Sequence, residues 1–243
     1  MLFYFTGTGN SLYVARQIEE TPISIPQVLH QENLNFKDEK IGIVYPVYAG
    51  EAPKIILEFL EKATFETDYF YLILTYGKDV TDAPECIARL LEEKGRHVNY
   101  IHSILMVDNY LPSFDMNEQR TMDKNVEQQI QQALQDIQNK KEEIPEATQA
   151  GRDFHASAKE IFAKNPELIN GEQIMVTDKC VGCGRCLAVC PKDAISADYA
   201  DSVAMLNYKM AEYSLAVCQN RPCFHVSLIC DVSPNCDCHA END

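Results

Sequence analysis

Four short, almost uninterrupted apolar runs punctuate the first part of the chain: LFYF at 2–5, IGIVY at 41–45, YFYLIL at 69–74 and IHSILMV at 101–107. Strands buried on both faces show continuous apolar runs rather than alternation, so these four predict parallel strands inside a sheet. Between them the apolar positions recur at helical spacing over Ser11–Glu20, Pro53–Lys62 and Ala83–Lys94, with Pro53 suited to a first turn. A longer stretch rich in Gln and charge, from about Asn117 to Glu143, predicts a helix covering one face of the sheet. A weaker strand is expected at Ile23–Leu29, where Pro22 and Pro26 confine it to an edge. The connection from there to Ile41, about a dozen residues, is near the minimum for a parallel crossover, so no regular helix is expected in it. Together these elements predict an α/β domain with a doubly wound, five-stranded parallel sheet.

A further amphipathic stretch, DFHASAKEIFAK, ends at Asn165-Pro166 and reads as a helix linking two parts. The cysteines mark the second part, because nine of the ten lie beyond residue 179 and only Cys86 lies before it. The expected organisation is therefore a first domain over 1–145, a linker helix within 146–170, and a smaller cysteine-rich domain over 171–243.

Composition narrows the function classes. With 37 Asp and Glu against 21 Lys and Arg, the net charge of −16 opposes general attraction to nucleic acid or to an anionic membrane. The first residues lack the basic start of a signal peptide, and no run of about 18 apolar residues occurs, so a cytoplasmic protein is expected. Cytosolic thiols are kept reduced, which makes metal or cluster ligation the leading account of the cysteines.

Candidate chemistry begins at YFTGTGNSLY, residues 4–13, where a loop leaves the first strand and opens a helix. Such a loop offers unpaired backbone N–H groups and the positive end of a helix dipole to an anion. Gly7 and Gly9 permit the tight backbone, and Thr6, Thr8, Asn10 and Ser11 can add side-chain donors. The loop lacks the lysine of a nucleoside-triphosphate cradle and the G-x-G-x-x-G spacing of a dinucleotide site. A single terminal phosphate held by neutral donors fits best; an ordinary strand-to-helix turn is the alternative.

Ligands of open α/β sheets bind beyond the carboxyl ends of the strands. The segments leaving the next strands are PVYAGEAPK, TYGKD and DNYLP, each carrying a tyrosine. Through FTGTGNS, YPVYAGEAPKI and TYG the first 145 residues resemble flavodoxin-like proteins, and more closely the flavodoxin part of bacterial flavodoxin/ferredoxin fusion proteins. The resemblance implies FMN, with Thr6, Gly7, Thr8, Gly9, Asn10 and Ser11 on its phosphate. It also implies that Pro46, Val47, Tyr48, Ala49 and Gly50, with Thr75, Tyr76, Gly77 and on to Asp79, surround the isoalloxazine ring. Tyr48, Tyr76 and Tyr110 are candidates to stack on that ring, or are tyrosines at loop edges. An acidic protein would disfavour added negative charge on a reduced flavin and push it towards low-potential one-electron chemistry.

The other motif is CVGCGRCLAVCP, which is C-x2-C-x2-C-x3-C-P at Cys180, Cys183, Cys186, Cys190 and Pro191. Four thiolates in so short a loop wrap an iron–sulfur cube, with zinc as the alternative. In two-cluster ferredoxins the fourth cysteine serves the other cluster and the motif occurs twice; here it occurs once. The later cysteines, Cys218, Cys223, Cys230, Cys236 and Cys238, do not repeat the spacing. Two solutions follow. One [4Fe–4S] cluster is held by Cys180, Cys183 and Cys186 with Cys190 or a remote cysteine, or two clusters draw ligands from the later thiols as well. Cys236, Cys238 and His239, with Cys230 or Cys223, could instead hold zinc. The tail from Leu206 resembles a different, poorly characterised ferredoxin-bearing family, in which a single such motif is followed by an M-x-E-Y helix and a CDC segment. Cys86, beside Ile87 and Leu90 on a predicted helix, reads as a buried small side chain. His30, His97, His102, His155 and His225 show no ligand spacing among themselves and receive no role.

The resulting expectation is an electron-transfer flavoprotein passing single electrons between FMN and a [4Fe–4S] cluster. Its partner would be a redox protein or a small-molecule electron acceptor, and neither nucleic acid nor membrane. A flavin-free redox-sensing or binding module with a zinc-binding tail, and an FMN-dependent reductase of a small molecule, are the alternatives. No pair of nucleophile and base stands out, so no catalytic residue is expected and an enzymatic role is left open.

Overall fold

The computed structural model describes residues 1–109 and 114–166, and the backbone of 195–198 and 205–208. β1 (Leu2–Tyr4), β2 (Ile23–Ser24), β4 (Lys40–Pro46), β6 (Tyr69–Tyr76) and β7 (Tyr100–Leu105) form one sheet in the order β2-β1-β4-β6-β7. Every neighbouring pair is parallel. Counted along these five strands the order is 2-1-3-4-5, that of the flavodoxin-like doubly wound fold. The chain reverses its direction of travel across the sheet between β1 and β4, and this places the switch point there.

Side chains alternate between the two faces of each strand. On one face Phe3, Ile41, Ile43, Tyr45, Leu72 and Leu74 pack with α2 (Ile25–Val28), α3 (Lys54–Lys62) and α4 (Ala83–Glu93). On the other face Leu2, Val44, Tyr71, Ile73, Tyr100 and Ile104 pack with α1 (Asn10–Ile18) and α6 (Val126–Gln138). Both faces are therefore dry, which is why these strands read as unbroken apolar runs. Gly42 faces Tyr71 across β4 and β6, and an added Cβ would stand 2.2 Å from the phenol ring, so the ring occupies the space the glycine leaves.

Two expectations need correction. The strand expected at Ile23–Leu29 is two residues long and turns into α2 at Ile25, with Pro26 in the first turn of that helix, where its missing N–H costs nothing. It does lie at the sheet edge. The connection from there to Ile41 contains no helix, as expected, but holds β3 (Asn35–Lys37), which pairs in parallel with β5 (Thr64–Glu66) as a separate two-stranded sheet. Phe36 and Phe65 carry this pair, packing on Phe3 and Phe59 at ring-centroid distances of 4.6–6.3 Å.

The long helix expected from Asn117 to Glu143 is two helices, α5 (Met116–Thr121) and α6. Between them the Asp123 carboxylate accepts the Asn125 N–H at 2.9 Å, and Asn125 takes a left-handed φ of 50°. Such local side-chain bonds compete with the helix ladder. α6 stops at Gln138, after which Glu143 exchanges backbone bonds with Asn99 and Ile101 beside β7.

α7 (Gln149–Lys164) starts at Thr148, whose hydroxyl accepts the Gly151 N–H at 3.0 Å, and ends at Asn165 before Pro166. It packs against α4: Gly151, His155 and Ala158 are buried, and Arg152 Nη2 donates to both Glu85 carboxylate oxygens at 2.7 and 2.8 Å. β8 (Ile195–Asp198) and β9 (Met205–Tyr208) form an antiparallel pair. No described helix is long and apolar enough to cross a membrane.

Candidate functional site

Loops from the carboxyl ends of β1, β4, β6 and β7 leave the sheet on one side, because all four strands are parallel. The loop after β1 runs through Thr6 to Gly9 into α1. Gly9 has φ 99°, in the left-handed region where glycine alone is unstrained, and no side chain caps the helix. The Thr6 hydroxyl turns inward and accepts the Gly9 N–H at 2.9 Å. Among the described residues nothing accepts the N–H groups of Gly7, Thr8, Asn10 or Ser11. The first turn of α1 carries no acidic residue, so the positive end of its dipole is uncompensated. The chemistry of this cradle is that of an anion receptor built from amides and hydroxyls.

Two bonds fix the cradle to neighbouring strands. Ser11 is fully buried, and its hydroxyl shares a hydrogen bond of 2.8 Å with Thr75 at the end of β6. The Asn10 amide donates to the Val107 carbonyl at 2.9 Å, beyond β7. Of the six expected phosphate-loop residues, these two tie the loop to neighbouring strands through their side chains, and Thr6 braces it from within.

The loop after β4 is a tight turn. Val47 N–H donates to the Thr75 carbonyl at 2.8 Å, continuing the ladder past Pro46. Tyr48 and Glu51 then exchange backbone bonds at 2.9 and 3.0 Å around Ala49 and Gly50, whose φ values are 51° and 91°. Two central residues at positive φ make this a primed turn, which reverses the chain in two residues. Tyr48 packs against the core on the α3 face.

After β6, Tyr76 is half-buried, and its phenol is pushed above the ordinary range by burial and then by the Asp79 charge. The Asp108 side chain fills the place a Gly77 side chain would take, at 2.4 Å from its Cβ position. Lys124 reaches the Gly77 carbonyl at 3.1 Å. The Asp79 carboxylate accepts the Thr81 N–H at 2.7 Å, holding Thr81 at φ 58°.

The fold thus gathers Thr6–Ser11, Pro46–Gly50 and Thr75–Gly77 at the ends of three adjacent strands. Tyr110 lies outside the described residues, as do Cys180, Cys183, Cys186, Cys190, Cys218, Cys223, Cys230, Cys236 and Cys238.

One cluster beside these loops escaped the sequence. His155 on α7 is 3% exposed and lies against Gly50, whose added Cβ would stand 2.6 Å from its Cδ2. Its Nδ1 is hydrogen-bonded to Asp82 at the start of α4, and its Nε2 to Glu51 at 3.0 Å. Lys159, one turn further along α7, reaches the same Glu51 oxygen at 2.7 Å. Burial pushes the Glu51 carboxyl up, but the bonds from Lys159 and His155 outweigh it and leave it below the usual carboxylate range. Asp82 behaves likewise, with His155 outweighing burial. Cys86 joins the group and is half-buried rather than buried; burial and then the Asp82 charge push its thiol up. The ligand atoms of Asp82, Cys86 and His155 all lie within 4.8 Å of one another. The one sequence signal for this cluster was the i, i+4 spacing of Asp82 and Cys86; nothing local tied His155 to them.

Comparison with known proteins bears on the other end of the chain. Residues 164–200, which hold Cys180, Cys183, Cys186 and Cys190, match a family model described as the LdpA Fe-S cluster-binding domain. Curated proteins show no match to the chain. Among solved structures the chain is similar to a putative flavoprotein from Bacteroides uniformis. That likeness has 15% identity and a TM-score of 0.36, over 44% of this chain and 90% of that one, too distant to add to the strand order. The chain therefore combines a flavodoxin-like sheet with a segment similar to an iron–sulfur-binding domain.

Proposed function

We propose that the protein is an electron carrier that holds FMN at the β1/β4 switch point and a [4Fe–4S] cluster on Cys180, Cys183, Cys186 and Cys190, and passes single electrons between them. The observation that carries the reading is the amide cradle of Gly7, Thr8, Asn10 and Ser11, opening ahead of α1 at the point where the strand order reverses. In the flavodoxin-like order that is where a flavin phosphate is received.

The residues present fit such a group. The cradle is neutral, with Thr8 free to add a hydroxyl donor, and the primed turn of Tyr48–Glu51 adds backbone groups at the end of the adjacent strand. Bound FMN supplies one-electron as well as two-electron chemistry. The protein's own contribution is to orient the ring and to set its surroundings. The rigid turn, the Ser11–Thr75 bond and the Asn10–Val107 bond do the first. Tyr76, held as a neutral phenol, and the net negative charge of the chain do the second. Iron is favoured over zinc by the C-x2-C-x2-C-x3-C-P spacing and by the match of 164–200 to a cluster-binding domain. The later cysteines are candidates for a second cluster.

The test is composition. Anaerobically purified full chain should show flavin and iron–sulfur absorption, with FMN, iron and sulfide in fixed ratio to protein. Zinc with neither flavin nor sulfide would overturn the reading in favour of a flavin-free zinc module. Steady turnover of a reduced nicotinamide cofactor without any carrier would favour a reductase acting directly at FMN.

A further inference from the structure

We infer that Asp82, Cys86 and His155 form a binding site for a first-row divalent ion of zinc type, with Glu51 as the outer carboxylate that orients the imidazole. The inference is independent of the flavin.

Asp82 caps α4 and Cys86 lies one turn on, with the Cys86 N–H donating to the Asp82 carbonyl at 2.9 Å, so the two side chains leave the same face of the helix. His155 arrives from α7 and brings Nδ1 against the Asp82 carboxylate. Carboxylate oxygen, thiolate sulfur and imidazole nitrogen together suit an ion of intermediate softness, rather than calcium or magnesium. Around a tetrahedral zinc, ligands at about 2.0–2.3 Å lie roughly 3.3–3.8 Å from one another. The three ligand atoms here are within 4.8 Å, so side-chain rotation of about 1 Å closes the shell.

The surroundings match what metal-binding histidines need. A ligating imidazole usually donates its other N–H to a carboxylate, which fixes the tautomer and raises its basicity. Glu51 holds the Nε2 proton at 3.0 Å, so that loss of the proton shared with Asp82 turns the Nδ1 lone pair to the ion. Two cations stand by: Lys159 on Glu51, and Arg89, whose Nη2 lies 3.4 Å from Cys86 Sγ and favours the thiolate. Binding releases two protons to solvent, that of the Cys86 thiol and the one shared between His155 Nδ1 and the Asp82 carboxylate, and replaces the S–H bond and the His155–Asp82 hydrogen bond by three metal–ligand bonds. Three protein ligands leave one coordination position open, and the partial exposure of Asp82 and Cys86 gives the ion a way in. The ion would bolt α7 to α4 and, through Glu51, to the turn after β4.

Alkylation of the full chain by iodoacetamide, followed at the Cys86 peptide by mass spectrometry, tests this without interference from zinc on other cysteines. Zinc chloride should slow alkylation of Cys86 by about tenfold or more, since only the free thiolate reacts, and magnesium should not. Asp82→Asn and His155→Gln should each abolish the protection, and Glu51→Gln should weaken zinc affinity by about tenfold. Asp82→Asn decides the matter if His155→Gln fails to fold. A Cys86 rate indifferent to zinc, or equal protection in Asp82→Asn and wild type, would overturn the site.

Discussion

Replacing Gly50 by alanine probes how the turn after β4 is held. At φ 91° an L side chain costs about 1–2 kcal/mol of backbone strain. The new methyl would also stand 2.6 and 2.7 Å from Cδ2 and Cγ of His155 and 2.7 Å from the Thr81 hydroxyl. His155 is tied at both ring nitrogens, so its ring cannot step aside without giving up a hydrogen bond. Crowding of this kind adds about 1–3 kcal/mol, for a total of about 2–5 kcal/mol. Gly9→Ala is the control: its φ is 99°, but nothing lies within 4 Å of the added Cβ, so it carries the backbone strain alone. In urea unfolding followed by circular dichroism, with a slope of about 2 kcal/mol/M, Gly50→Ala should lower the midpoint by about 1–2.5 M and Gly9→Ala by about 0.5–1 M. Equal midpoints for the two variants would refute the idea that the imidazole is pinned against the turn.

Ser11→Ala should cost about 1–3 kcal/mol, because it leaves the buried Thr75 hydroxyl without its partner, and adding Thr75→Val should recover part of that loss; additive losses in urea midpoints would argue against the pair. Thr8→Ala should weaken FMN binding by about tenfold or more while iron content stays unchanged, measured by fluorescence titration and iron assay; an unchanged flavin affinity would count against the cradle. Asp136 carries a pH prediction. Burial pushes its carboxyl up, but bonds from Tyr100 at 2.8 Å and Gln132 at 2.9 Å, with the Lys141 charge, hold it below the usual range. A folded value below the unfolded one gives stability that is present above about pH 4 and fades as pH falls through the folded value. Midpoints measured from pH 5 down to about pH 2 should therefore fall less steeply in Asp136→Asn than in wild type, and an equal slope would remove Asp136 from the account.

How much of this was legible follows from how local each signal is. β4 and β6 announced themselves because both faces of each are buried, and their ends at Pro46 and Tyr76 fall within two residues of the expected ones. β3 and β5 did not, because each carries one inward phenylalanine among polar residues and is defined by a partner roughly thirty positions away. The break after Thr121 rests on one Asx bond and one left-handed asparagine, too little to interrupt a Gln-rich helical pattern on paper. The cradle was readable because its chemistry lies in consecutive residues. His155 was not, since its partners Glu51 and Asp82 come from two other loops, and only the docking of α7 brings them together.

The central claim is electron exchange between two cofactors on one chain. Flash reduction of the flavin in the anaerobic full chain, at several protein concentrations, tests it most directly by following bleaching of the iron–sulfur absorption. Bleaching should be coupled to flavin reoxidation, at a first-order rate independent of protein concentration. A rate proportional to concentration, or a cluster that stays oxidised while the flavin stays reduced, would contradict it.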